Sequence, residues 1–100
     1  MDQIKKAVQR GDLVSVNHRV AAFLASYFDI LFALNRVLHP GEKRLLDLAE
    51  TLCSQRPVDL HEQITRLLNA AGTGANEAVA LSGQLASELG ELLSREGLID

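Results

Sequence analysis

VNHRVAAFLASYFDILFALNRVL, residues 16–38, decides the fold. Val20, Leu24, Tyr27, Leu31, Leu34 and Leu38 alternate steps of four and three, the spacing that lines one side of an α-helix with a seam for a neighbour. A second stripe, Ala21, Ala25, Phe28 and Phe32, lies beside the seam, and a third, Val16, Phe23, Ile30 and Val37, repeats every seven residues. A helix apolar on so many sides has to sit among others. Its one polar side carries His18, Ser26, Asp29 and Arg36, with Ala22 and Ala33 on the same line. The plain reading is an outlet to water. The sharper one is a face whose small residues let another chain come close, with Asp29 and Arg36 supplying directional contacts.

The same period continues outward in both directions. Residues 2–9, with Ile4 and Val8 on one side, form a short helix stopped at Gly11. The central helix starts near Asp12 to Ser15 and is expected to run to Leu38. A third is expected over 41–54, because Pro40 suits a first helical turn and forces His39 out of α geometry. Pro57 and Asp59 open a fourth, with Leu60, Ile64, Leu67, Leu68 and Ala71 on its buried side. The AGTGAN joint at 71–76 leads to a fifth, over 76–95, which buries Val79, Leu81, Leu85, Leu89, Leu92 and Leu93. There is almost no period of two and no internal repeat. Short joints favour antiparallel neighbours. The expectation is therefore an all-α single domain spanning 1–100, an up-and-down helical bundle of about five helices around a long central helix.

Composition narrows the function classes. One hundred residues, 47% of them hydrophobic, fill one core. The net charge of −3 is uneven: residues 1–50 carry seven basic and six acidic side chains, and 51–100 carry three and seven. That distribution lacks the basic stripe that counterion release requires, so no nucleic acid partner is expected. Cys53 is the only cysteine, which leaves no internal disulfide and suits a reducing compartment. The N-terminus, MDQIKKAVQRGD, is charged throughout and shows no signal peptide. The most apolar run, 20–34, is interrupted by Ser26 and Asp29 and is too short for a bilayer. A soluble cytoplasmic protein without a membrane partner is expected.

Six polar groups, Asn35, Arg36, His39, Glu42, Lys43 and Arg44, gather at the joint around Pro40 and Gly41. Lys43 and Arg44 are expected in the first turn of the third helix, where positive charge is disfavoured by up to about 1 kcal/mol. An anion held by the amides after Pro40 and Gly41, with Lys43 and Arg36 beside it, would reverse that penalty. The plainer alternative is that Glu42 answers the dipole and the cations face water. His18, His39 and His61, taken with Cys53, form no HxxxH or CxxC pair, so no metal site is expected. Cys53 lies on the apolar line of the third helix and reads as a small core residue rather than a nucleophile. Arg56 and His61 match the R-x4-H spacing of helical ribonuclease-like toxins, but Pro57 between them breaks the helix that motif needs. Glu77, Glu88, Glu91 and Glu96 read as the solvated side of the last helix.

The stretch YFDILFALNRVLHPGEKRLL (27–46), with AVQRGD (7–12) upstream, resembles the helical C-terminal region of bacterial nucleotidyltransferase-like proteins, over roughly residues 3–50. In that family a small mixed α/β catalytic domain is followed by a helical bundle that helps form the substrate cleft, as in the aminoglycoside nucleotidyltransferases. The resemblance implies that Asn35, Arg36, His39, Pro40, Gly41, Glu42 and Lys43 shape the cleft or the contact with the catalytic domain. Asp29, Asn35, Arg36, His39, Glu42 and Lys43 make the candidate substrate- or partner-binding set. The chemistry itself is missing from this chain. It has no Gly-Ser turn for a triphosphate, no D-x-D pair to hold two metal ions, and no GxxxxGK[ST] loop. No catalytic residue is assigned, and nucleotide and Mg would enter only with a catalytic nucleotidyltransferase domain or subunit as partner. The implied role is a noncatalytic helical substrate-binding or partner domain, a detached helical half. The alternative is a self-contained helical protein-interaction module, homodimeric through the small-residue face of the central helix.

Overall fold

The computed structural model describes residues 2–98, and every regular element among them is an α-helix. The order is α1 (Asp2–Arg10), α2 (Leu13–Leu34), α3 (Leu45–Leu52), α4 (Leu60–Thr73) and α5 (Glu77–Arg95). Asp12 opens α2 as its N-cap: its carboxylate accepts from the Ser15 N–H at 3.2 Å and from the Ser15 hydroxyl at 2.8 Å. Those two bonds from Ser15, with Arg10 nearby, hold the Asp12 carboxyl below its ordinary range.

Four of the helices stop in the same way. The amide after the left-handed residue reaches back five positions and that residue's own amide reaches back three, which satisfies the last free carbonyls. In α1, α4 and α5 the left-handed residue is Gly11, Gly74 or Gly97. In α2 it is Arg36, at φ 57°, with its N–H on the Ala33 carbonyl and the Val37 N–H on the Phe32 carbonyl, both at 3.0 Å. The central helix therefore ends at Leu34 instead of reaching Leu38. Leu38 drops out of the seam and stands 92% exposed.

α2 packs against α1, α4 and α5, while α3 rests on α4. From α2 the core takes Val16, Val20, Tyr27, Phe28, Leu31, Phe32 and Leu34, which meet Ile4, Leu60, Ile64, Leu67, Leu85 and Leu92 from the surrounding helices. The burial is not equal on all sides. Ala21 and Ala25 are exposed, as are Ile30 in part and Leu68, which the helical period alone had placed in the core. Two polar side chains are fully inside. The Ser82 hydroxyl donates to the Val79 carbonyl at 3.0 Å, and the Gln63 amide nitrogen donates to Asp59 and to Glu88, the latter at 2.9 Å. The Tyr27 hydroxyl and Gln63 Oε1 are buried with no hydrogen-bond partner among the described residues. Burial first, and then the charge of Glu88, push the Tyr27 phenol well above its ordinary value.

Leu31 is wholly buried at the middle of this arrangement. Leu31→Ala should lower stability by about 2–5 kcal/mol in chemical denaturation, through lost transfer energy and the cavity left behind. A loss below about 1 kcal/mol would mean that α2 is not the centre of the core.

Candidate binding site

The ten residues between α2 and α3, read from sequence as helix ends, form an irregular connection. Asn35 caps α2, and its side chain does more than cap. Nδ2 donates to the Leu31 carbonyl at 2.8 Å and to the Gln55 carbonyl at 2.9 Å, and Oδ1 accepts from the Gln55 N–H at 2.8 Å. One amide side chain thus ties the end of α2 to the chain leaving α3. Asn17, not singled out from sequence, does similar work at the other end: its Nδ2 donates to the Ala71 carbonyl of α4 at 2.9 Å.

His39 is held from three sides. Its Nδ1 accepts the Gly41 N–H at 3.0 Å, so in the neutral ring the proton is on Nε2. That nitrogen lies 3.8 Å from Asp29 Oδ1, and the ring packs on Phe32 with centroids 5.3 Å apart. Pro40 and Gly41 therefore make a turn closed by the imidazole, not the first turn of a helix. α3 begins only at Leu45, behind Arg44 in a left-handed conformation at φ 54°. Lys43 and Arg44 precede the helix, and one of the two amides expected to hold an anion is already bonded to His39.

Of the six candidate residues, then, the structure brings Asp29 and His39 together and uses Asn35 as a clamp. Arg36, Glu42 and Lys43 are exposed, and among the described residues none of them is in an ion pair. The polar line His18, Ala22, Ser26, Asp29 and Ala33 is exposed along α2, with Arg36 beyond its end. Cys53 is buried at the C-cap of α3, and burial raises its thiol pKa against the opposing charge of Arg56. It fits a core residue and makes a poor nucleophile.

Glu42 leads to the feature that sequence did not show. An open hollow of about 440 Å³ lies where α2, the start of α3 and α4 meet. Its walls are mainly apolar, from Leu24, Phe28, Leu45, Leu46, Ile64 and Leu68, and Ala21 and Ala25 lower the α2 side. Glu42, Arg44 and Asp47 stand among its lining residues as the charged ones. Ala21, Ala25 and Leu68, expected on buried stripes, are exposed here, a difference visible only in the fold. Near the same junction, ligand atoms of Asp47, Glu50 and His61 lie within 4.8 Å of one another. A search for His and Cys pairs along the chain passes over such a group, since two of its members are carboxylates on a different helix. Comparison with known protein families, with curated proteins and with solved structures finds no match to this chain.

Two substitutions at the joint should act in opposite directions. Arg36→Gly removes the penalty of about 1–2 kcal/mol for a side chain in left-handed geometry, offset by the greater freedom of glycine in the unfolded chain. It should raise stability by up to about 1 kcal/mol. Asn35→Ala should lower it by about 0.5–1.5 kcal/mol, because the α2 cap and the two solvent-exposed bonds to Gln55 are lost together. Denaturant midpoints for both variants check this, and a stabilised Asn35→Ala would show that the clamp is unimportant.

Proposed function

We propose that this chain is a noncatalytic helical binding module, and that it acts by seating an amphipathic helix of a partner protein in the hollow between α2, α3 and α4. The apolar lining of that hollow is the observation that carries the reading. A fold does not usually leave the half-exposed Leu68 and the part-buried Leu24, Leu45 and Leu46 around one open hollow floored by the core side chains Phe28 and Ile64, and a helix laid along such a groove buries its apolar ridge there. Ala21 and Ala25 let the incoming backbone approach. Glu42 and Asp47 outnumber Arg44 among the lining residues, and the chain as a whole is at −3, so the complementary partner carries basic residues beside its apolar ridge.

The resemblance of residues 27–46 to the helical region of nucleotidyltransferase-like proteins supplies the first partner to try, a catalytic domain bearing the Gly-Ser turn and the D-x-D pair that this chain lacks. In that setting Glu42 at the hollow's α3 end, with the exposed Arg36 and Lys43 of the same connection, would meet the partner or its substrate. Self-association through the hollow is disfavoured by charge, since an isologous dimer centred there places two acidic rims together.

Binding of a purified catalytic domain of that class, followed by calorimetry, tests the reading. Leu68→Arg should weaken it by about 2 kcal/mol or more, as expected for an anchor at the centre of an interface, while stability changes by no more than about 0.5–1 kcal/mol. Unaltered affinity in Leu68→Arg would remove the hollow from the interface. A stable homodimer in light scattering that persists in Leu68→Arg and is converted to monomer by Ala22→Arg, on the exposed small-residue face of α2, would instead support the homodimeric module.

A further inference from the structure

Beside the hollow, the crossing of α3 and α4 assembles a second group of chemically compatible side chains. Asp47 and Glu50 are three residues apart on α3, so they stand one above the other on one face. His61 is the second residue of α4. Their ligand atoms, a carboxylate oxygen from each acid and an imidazole nitrogen, all lie within 4.8 Å of one another. Like charges three residues apart on a helix face are mildly destabilising, a penalty that a bound cation would relieve. None of the described Lys or Arg side chains forms an ion pair with either acid. The ion pairs formed are Arg10 with Asp12, His39 with Asp29 and Arg66 with Glu77, and the last takes up the arginine that lines the same surface hollow as Glu50 and His61.

We propose that Asp47, Glu50 and His61 form a binding site for a divalent transition-metal cation of the zinc class. One imidazole and two carboxylates make a three-ligand set that leaves a fourth tetrahedral position open to water or a ligand. The imidazole selects against calcium and magnesium, which take oxygen ligands, and in favour of zinc, cobalt and nickel. Bonds of about 2.0–2.2 Å place tetrahedral ligands about 3.4 Å apart. Contraction from 4.8 Å is shared among three solvent-facing or half-buried side chains that can rotate to meet the ion. The group lies on the ridge between two hollows, with Asp47 lining the apolar one and Glu50 and His61 lining its neighbour. A bound cation would join α3 to the start of α4. This site stands independently of the helix-binding role.

Tag-free protein, freed of metal with a chelator, is titrated with zinc and separately with magnesium by calorimetry, and its thermal midpoint is followed with each. Zinc should bind one to one and raise the midpoint, and magnesium should do neither at the same concentration. His61→Ala and Glu50→Gln should each weaken zinc binding by at least about tenfold, the lower end of what loss of an outer-shell partner produces. Each should also abolish the rise in midpoint. Cobalt should give visible absorption bands of a four-coordinate site that vanish in His61→Ala. Circular dichroism establishes that both variants are folded, and either variant alone suffices if the other is not. One-to-one zinc binding unchanged in the folded variants, magnesium binding as tight as zinc, or no zinc binding by the unmodified chain would each overturn the site.

Discussion

The pair of hydrogen bonds between the Asn35 side chain and the backbone of Gln55, with the buried Ala49 of α3 and Cys53 at its C-cap, holds the segment on which the hollow and the His61 group depend. They close an excursion that starts where α2 ends and includes the whole of α3. Closing a chain segment of that length has an entropic cost that two well-formed bonds help to offset. With its ends tied, α3 is laid on α4, and only then do Leu45 and Leu46 face Leu24, Phe28 and Ile64 across the hollow. The same placement carries Asp47 and Glu50 to His61. α3 has eight residues, shorter than a helix that holds itself together in water. Its order is borrowed from α4 and from the clamp. It is the natural candidate for the part of the fold that opens first.

Most of the architecture is legible in the sequence because it depends on local signals. α1, α4 and α5 begin and end within one or two residues of where period and glycine place them, since Gly11 and Gly74 mark left-handed stops that no longer side chain adopts cheaply. The end of α2 is the exception. Its hydrophobic seam continues to Leu38 on paper, and the residue that stops the helix is Arg36, which carries no sequence sign of a stop. Tertiary bonds from Asn35 to Gln55 hold that geometry against its local cost. The start of α3 is misread for a related reason: Pro40 is followed by a turn in which the His39 ring captures the Gly41 amide, and that competes with helix formation.

The candidate site was legible only in part. Composition drew attention to Asn35 and His39 because polar residues crowded the joint, yet both are engaged in structural hydrogen bonds, and Arg36 sets the backbone as well as facing solvent. Of the polar residues at the joint, Glu42 and Arg44 line the hollow. The hollow itself and the His61 group arise where α3 crosses α4, a relation between segments that periodicity within one segment does not encode. Ala21, Ala25 and Leu68 lie on apolar stripes, and that they stay exposed is decided by how α2 and α4 pack, not by the stripes themselves.

The buried phenol of Tyr27 has a practical side. It is the only tyrosine, and there is no tryptophan, so near-ultraviolet absorption and emission arise almost wholly from one ring wedged beside Phe23 and Phe28. The optical spectrum is therefore a gauge of interior packing with no surface background. Because folding raises the phenol's pKa above 10.0, the associated stabilisation is intact below that pH and drains away as alkalinity climbs through and beyond it. Phenolate colour and loss of the core are thus tied together in a single chromophore.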